Sequence, residues 1–242
     1  MFWLLNPWSL ILQALAIVHF VRRRPDTYWL WIILFFGPLG ALVYIALEVV
    51  PDLGLLRSSF RVFPRRRRIR ELEQIVLDNP AVGNLEELAD LYLEDGQYEK
   101  ARPLYDRVVA SPANTSLDPI YRRGIVALEL NDYAAAVADL GHVVTADARY
   151  DFHRAIGLLA QACARAGDAA HAEAYFQQAV EISTLSETYC NYAAFLLGQG
   201  RRDAAREQAE KVMAKKPTMP GYLRRRERPW FRRAKALLKQ AA

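Results

Sequence analysis

Few side chains in this sequence are of the kinds that do covalent chemistry. There are two cysteines, Cys163 and Cys190, and four histidines, His19, His142, His153 and His171. The cysteines lie too far apart for a paired-thiol redox or zinc motif. No His-Glu-x-x-His pair, phosphate-cradling glycine loop or nucleophile turn occurs. Gly198-Gln199-Gly200 reads as a helix end rather than a dinucleotide loop. The two thiols are expected to sit buried or half-buried in helices, and their low number fits a reducing compartment. The sequence predicts no catalytic residue, no metal site and no cofactor, so the chain is not expected to be an enzyme.

What remains is charge arranged for binding. Glu86, Asp90 and Glu94 recur every four residues, which puts three carboxylates on one face of a helix. Charge is also unevenly spread along the chain. Residues 57–70 carry seven arginines and no acid, 71–218 carry 14 basic and 23 acidic side chains, and 219–242 carry eight basic and one acidic. An acidic body therefore lies between two basic collars, which the net charge of +5 conceals. Charge alone would admit nucleic acid, but no groove-reading helix or stacking motif accompanies it, so none is expected.

The elements that must position these groups recur. Gly96-Gln97-Tyr98 leads to Ala101 and Tyr105, and Asn131-Asp132-Tyr133 leads to Ala136 and Leu140. Gly167-Asp168-Ala169 leads to Ala172 and Phe176, and Gly200-Arg201-Arg202 leads to Ala205 and Ala209. The alanines are 35 (136 − 101), 36 (172 − 136) and 33 (205 − 172) residues apart. A period of roughly 34 residues with small residues at a helix crossing resembles the tetratricopeptide repeat. Repeats are expected at 82–115, 117–150, 153–185 and 186–218, each an antiparallel helix pair. Small residues at Ala89, Gly124, Ala160 and Ala193 let the paired helices approach. Each hairpin leaves an apolar face that only a neighbour can bury, so the units should stack into a solenoid. Pro103 falls inside the second helix of the first repeat and predicts a late start or a kink there.

The resemblance implies that the first helix of each pair lines a concave, peptide-binding surface. The outward positions would be Glu86, Asp90, Leu93 and Glu94 in the first repeat, and Asp118, Tyr121, Ile125, Leu128 and Glu129 in the second. Arg154, Gln161 and Arg165 would follow in the third, and Glu187, Cys190, Ala194 and Leu197 in the fourth. The first half of this groove is acidic with apolar steps, and its complement is a basic, partly apolar segment. That segment could come from another protein or from residues 224–233 of a second copy, which would be self-association. The lysine–asparagine clamp with which some members grip acidic chaperone tails is missing: the matching positions hold Glu86, Asp90 and Arg122.

Outside the repeats, residues 2–21 and 28–50 are apolar runs long enough to cross a bilayer core of about 30 Å. Trp3 and Trp8 suit a headgroup boundary, as do Arg22, Arg23 and Arg24 between the runs. A cleaved signal peptide fits less well, since no positive region precedes the first run. Arg23-Arg24-Pro25, Trp29, Gly37-Pro38-Leu39-Gly40, Tyr44 and Glu48 resemble the amino-terminal membrane hairpin of bacterial cardiolipin synthases of the phospholipase D family. No histidine here is followed two places on by lysine, so only the anchor carries over, not the phosphatidyl transfer.

Arg57, Arg61, Arg65, Arg66, Arg67 and Arg68 would meet the phospholipid surface and place both termini in the cytoplasm. A helix over 66–78 should cap the array. The resulting expectation is an all-α chain, with a transmembrane hairpin over 1–56, a basic linker and capping helix over 57–81, a tetratricopeptide solenoid over 82–218 and a basic capping helix over 219–242. The chain should be a multi-pass protein of a bacterial inner membrane, with the repeats in the cytoplasm. It would act as a membrane-anchored scaffold for a protein or peptide, or as an accessory to cardiolipin-type phospholipid synthesis.

Overall fold

The structure, a computed structural model, describes residues 13–14, 16–18, 20, 28–49 and 55–242. Every element among the described residues is helical. The chain divides into two compact units, Met1–Glu71 and Leu72–Ala242.

In the first unit, α1 (Tyr28–Phe35) and α2 (Gly37–Tyr44) are followed by a π-helical turn, Ile45–Val49. The break falls at Gly37, whose φ of +54° is in the left-handed region that glycine tolerates best. Gly40 meets the preceding helix so closely that an added Cβ would lie 2.1 Å from the Ile32 carbonyl oxygen. Ala16, Trp29, Ile33, Ala41 and Tyr44 form a small core, with the Trp29 and Tyr44 rings edge to face at 5.5 Å. Trp31, Leu34, Phe35, Phe36 and Leu39 stay exposed.

This geometry corrects the membrane reading. Among the described residues no helix is long and apolar enough to cross a membrane. The run over 28–50 is cut into two helices of eight residues. Eight residues rise only about 12 Å, against a hydrocarbon core of about 30 Å. The multi-pass inner-membrane placement and the cytoplasmic orientation derived from it are therefore withdrawn, and the transmembrane hairpin over 1–56 is left without support; most of its first run, 2–21, lies outside the described residues. Trp3, Trp8, Arg22, Arg23 and Arg24 lie outside the described residues. The helix expected at 66–78 starts earlier: α3 spans Leu55–Asp78 and carries Arg57, Arg61 and Arg65 to Arg68 in its sequence. Arg67 pairs with Glu71 at 2.8 Å along it, and Asn79-Pro80 follows its end.

The second unit continues as antiparallel pairs. These are α4 (Val82–Glu94) with α5 (Tyr98–Val109), α6 (Asp118–Glu129) with α7 (Tyr133–Ala146), α8 (Tyr150–Ala166) with α9 (Ala169–Ile182), and α10 (Ser186–Gly198) with α11 (Arg202–Ala214). The turn within each pair is built alike. Gly96, Asn131, Gly167 and Gly200 all have positive φ, which glycine and asparagine tolerate best. The next N–H then closes back onto the helix: Gln97 to Tyr92 O at 2.8 Å, Asp132 to Ala127 O at 2.9 Å, Asp168 to Cys163 O at 3.0 Å and Arg201 to Leu196 O at 2.9 Å. That is the Schellman closure, and it satisfies carbonyls a helix end would otherwise leave bare. Asp132 and Asp168 also cap the following helix, accepting from the Ala135 and His171 N–H groups.

The crossing residues behave as their size requires. Ala101, Ala136, Ala172 and Ala205 are buried, as are Tyr105, Leu140, Phe176 and Ala209 one turn further along the same helix faces. At Gly124 a Cβ would meet Leu140 Cγ at 2.9 Å, so the α6–α7 crossing needs glycine. Pro103 does not delay the second helix of the first pair: α5 starts at Tyr98 and runs through it. Two short closing helices follow, α12 (Gly221–Arg226) and α13 (Arg228–Gln240). Phe231, Ala234 and Leu237 of α13 pack into the core shared by α10 and α11.

Candidate peptide-binding surface

The first helices α4, α6, α8 and α10 present their polar residues to one another, one repeat length apart. Asp90 meets Arg122 at 3.1 Å. Tyr150 donates to Asp118 at 2.8 Å, and Tyr121 donates to Asp151 at 2.6 Å. Arg154 pairs with Glu187 at 2.7 Å, and Asn191 donates to Gln161 at 2.8 Å. The intervals are 32, 32, 30, 33 and 30 residues, the first being 122 − 90. A side chain on one first helix thus bonds to the equivalent region of the next, forming polar rungs across the surface.

Between the first and third repeats these rungs frame a concavity of about 480 Å³, lined by Leu93, Asp118, Tyr121, Arg122, Ile125, Tyr150, Asp151 and Arg154. The Tyr121 and Tyr150 rings meet edge to face at 4.9 Å and, with Leu93 and Ile125, give it apolar wall. Arg122 bridges Asp90 and Asp118, the latter at 2.6 Å. Glu86 stands beside this group, and its carboxyl is raised above its ordinary value by burial, then by the Asp90 and Asp118 carboxylates. Asp90 is also raised, first by burial, although the Tyr105 hydroxyl at 2.5 Å and the Arg122 cation pull the other way. Asp90 and Asp118 thus hold one guanidinium, and Glu86 adds a third carboxylate to the group.

The sequence-based set divides between several places. Glu86, Asp90, Leu93, Asp118, Tyr121, Ile125 and Arg154 gather in or beside this concavity. Glu94 is exposed on α4. Glu129 stands near Tyr98, in a separate depression with the Gly96 to Lys100 turn. Leu128 is 8% exposed and belongs to the core instead. Gln161 and Arg165 line a second concavity of about 310 Å³. In the fourth repeat Glu187 and Ala194 lie on the expected face, but Cys190 does not. Cys190 is fully buried and points its Sγ at the Trp230 carbonyl, 3.6 Å away, while Asn191 takes the concave position with Ala194. Its thiol is pushed up to about 11, chiefly by burial. Among the described residues no group of three or more His, Cys, Asp or Glu side chains is placed to hold a metal ion.

Sequence reasoning missed Tyr150 and Asp151 as members of the surface, and met Arg122 only as a position of the absent clamp. The missing signal was the repeat interval itself: an acid and an arginine or tyrosine 30 to 33 residues apart on first helices. Asp151 lies in a further unforeseen feature. Asp151, Phe152 and His153 all have positive φ, a left-handed entry to α8 that leaves Phe152 83% exposed.

Tetratricopeptide-repeat family models match residues 85–119 and 121–187. No curated protein matches. Several solved structures do, all at low identity, so the likeness is one of fold. MamA residues 41 to end from Desulfovibrio magneticus aligns with a TM-score of 0.59 at 20% identity, covering 69% of this chain and 94% of that one. A tetratricopeptide protein of Thermus thermophilus aligns at 0.56 and 19% identity, covering 77% and 96%. YrrB, described as a tetratricopeptide protein with an unusual peptide-binding site, aligns at 0.54 and 19% identity, covering 68% and 82%. Nothing supports the resemblance of the amino-terminal segment to cardiolipin synthases, and the accessory role in phospholipid synthesis rested on it alone.

Proposed function

We propose, from the premise that this chain carries tetratricopeptide repeats, that it is a non-catalytic adaptor holding a basic, partly apolar peptide segment on its concave face. Tetratricopeptide proteins generally bind proteins or peptides as scaffolds, and the α-solenoid supplies a surface rather than an enclosed cavity. One observation carries the choice of ligand: Glu86, Asp90 and Asp118 surround a single Arg122 beside the apolar wall of Leu93, Ile125 and the two tyrosine rings. A lysine or arginine placed there completes the charge balance, and a neighbouring apolar side chain covers the wall. Residues 224–233 of a second copy have the right charge, but Phe231 is committed to the core of its own chain. A separate partner fits better.

The test is fluorescence anisotropy with a labelled peptide of alternating lysine and leucine. Glu86→Lys should weaken binding by about tenfold, and wild-type binding should fall steeply with salt. Unchanged affinity in a folded Glu86→Lys protein would move the ligand elsewhere.

A further inference from the structure

Residues 28–47 contain no charged side chain, and they fold back on themselves. Trp29 meets Tyr44 ring to ring, and Gly40 lies against the Ile32 carbonyl, so the contacts pair positions running in opposite chain directions. Helices α1 and α2 are thus the arms of a hairpin whose tip is Phe36-Gly37. Both arms turn inward to one core, α1 with Trp29 and Ile33, α2 with Ala41 and Tyr44. At helical spacing the outward face of α1 is then Tyr28, Trp31, Leu34 and Phe35, and that of α2 is Leu39, Leu42 and Val43. All of these are exposed.

A helix that is apolar all round belongs in apolar surroundings, and exposed apolar surface on this scale marks an interaction site. The geometry says what covers it. The two outward faces point away from each other, because both arms face the same core. A second copy laid against one face would leave the other wet, whereas acyl chains cover both. Exposure is highest at the tip, 76% at Phe35, 69% at Phe36 and 70% at Leu39. At the open end the rings of Tyr28, Trp29 and Tyr44 gather, as amphipathic aromatics do at a headgroup boundary. Arg22, Arg23 and Arg24 precede that end in the sequence.

Depth and backbone agree with this. Each arm rises about 12 Å, which falls short of a bilayer but suits the hydrocarbon of one leaflet, about 15 Å. Backbone polar groups in hydrocarbon must be paired within the protein. Across the break, the Phe36 N–H donates to Ile32 O at 3.1 Å and the Gly40 N–H to Phe36 O at 3.3 Å. Pro38, in the first turn of α2, has no N–H to leave bare.

We infer that the α1–α2 hairpin is a re-entrant anchor that enters one leaflet of a phospholipid bilayer tip first. Phe35, Phe36 and Leu39 stand among the acyl chains, and the aromatic end stays at the headgroups. Such an anchor crosses no bilayer, and it fixes neither a compartment nor the orientation of the repeats.

The test uses the full chain with Phe36→Cys, labelled there with the polarity-sensitive fluorophore NBD and mixed with phosphatidylcholine vesicles as detergent is removed. Cys163 and Cys190 are buried and should stay unlabelled in the native protein. The protein should float with the vesicles in high salt, since the lipid is uncharged and apolar contact holds it. The label should shift to the blue and be quenched by lipids brominated along the acyl chain, but not by iodide outside or trapped inside the vesicles. Phe35→Glu with Leu39→Glu should lower binding to the vesicles about tenfold or more. Both positions are exposed, so the helical circular dichroism should not change, and the depth of the label is read on a hairpin without those charges. Quenching by trapped iodide would mean that the tip crosses. A blue-shifted label without vesicles, together with a disulfide between unlabelled Phe36→Cys chains, would mean that a second copy covers it. Undiminished flotation of the folded glutamate variant would put the attachment elsewhere. Each of these three results overturns the assignment.

Discussion

Replacing Arg122 with glutamine tests the charge balance of the acidic concavity from both sides, stability and binding. The guanidinium holds Asp90 at 3.1 Å and Asp118 at 2.6 Å, and all three side chains are about one-third exposed. Pairs of that exposure contribute about 0.5–1 kcal/mol each, so their loss should cost about 1–2 kcal/mol at neutral pH. For a unit of this size that lowers Tm by about 3–6 °C. The cost should depend on pH in a definite sense. Glu86 and Asp90 are held above their ordinary values of 4.5 and 3.8, in both cases first by burial. A carboxyl raised on folding binds its proton more tightly in the folded chain. Its contribution is present below the unfolded value and is lost as pH rises through the folded one. Arg122 lowers both groups, so Arg122→Gln raises them further and moves the loss to higher pH. Thermal melts should show a full deficit at about pH 7 that fades by about pH 4. Anisotropy with the lysine–leucine peptide at neutral pH should show affinity rising about three- to tenfold, because one competing cation has left. An equal deficit at both pH values, or weaker peptide binding, would refute the reasoning.

Other outcomes follow from single positions. Gly124→Ala should destabilise by about 1–3 kcal/mol in urea unfolding, since the new Cβ would press on Leu140 Cγ at 2.9 Å. Phe152→Gly should stabilise by about 0.5–1 kcal/mol, because a left-handed residue becomes unstrained and the exposed ring gives up little packing. Cys163 and Cys190 are both buried with thiols raised chiefly by burial, so a thiol reagent at neutral pH should label them only after denaturant is added. A chain beginning at Arg65 should bind less of a hydrophobic dye than the full chain, since Trp31, Phe35, Phe36 and Leu39 are exposed in the segment removed.

The repeats were legible because their determinants are local. Gly96, Asn131, Gly167 and Gly200 mark the turns, and the alanine five residues on marks the crossing; both are properties of residue type at fixed spacing. The concave surface was only half legible. Periodicity identifies the face of a helix, so Glu86, Asp90 and Asp118 were found. Which cation answers them depends on how the next helix is rotated, and in α10 the packing of α13 buried Cys190 and left Asn191 at the second concavity. Leu128 failed for a related reason: the outer flank of α6 is covered, so an apolar residue near the groove edge joined the core. The amino-terminal run misled because hydropathy counts apolar residues and ignores a left-handed break at Gly37.

The rungs between first helices give the solenoid an elastic property. Asp90–Arg122, Asp118–Tyr150, Tyr121–Asp151 and Arg154–Glu187 lie on the inner curve, like stays across the mouth of a bow. A ligand that draws Asp90 or Asp118 away from its rung slackens one stay and lets the arc open at that joint, against the packing and the Arg102–Asp132 and Arg201–Glu173 pairs that join the second helices. Occupancy and curvature are then one variable. Small-angle scattering should record a bound segment as a change in radius, and stretching the chain between its ends should expel the ligand.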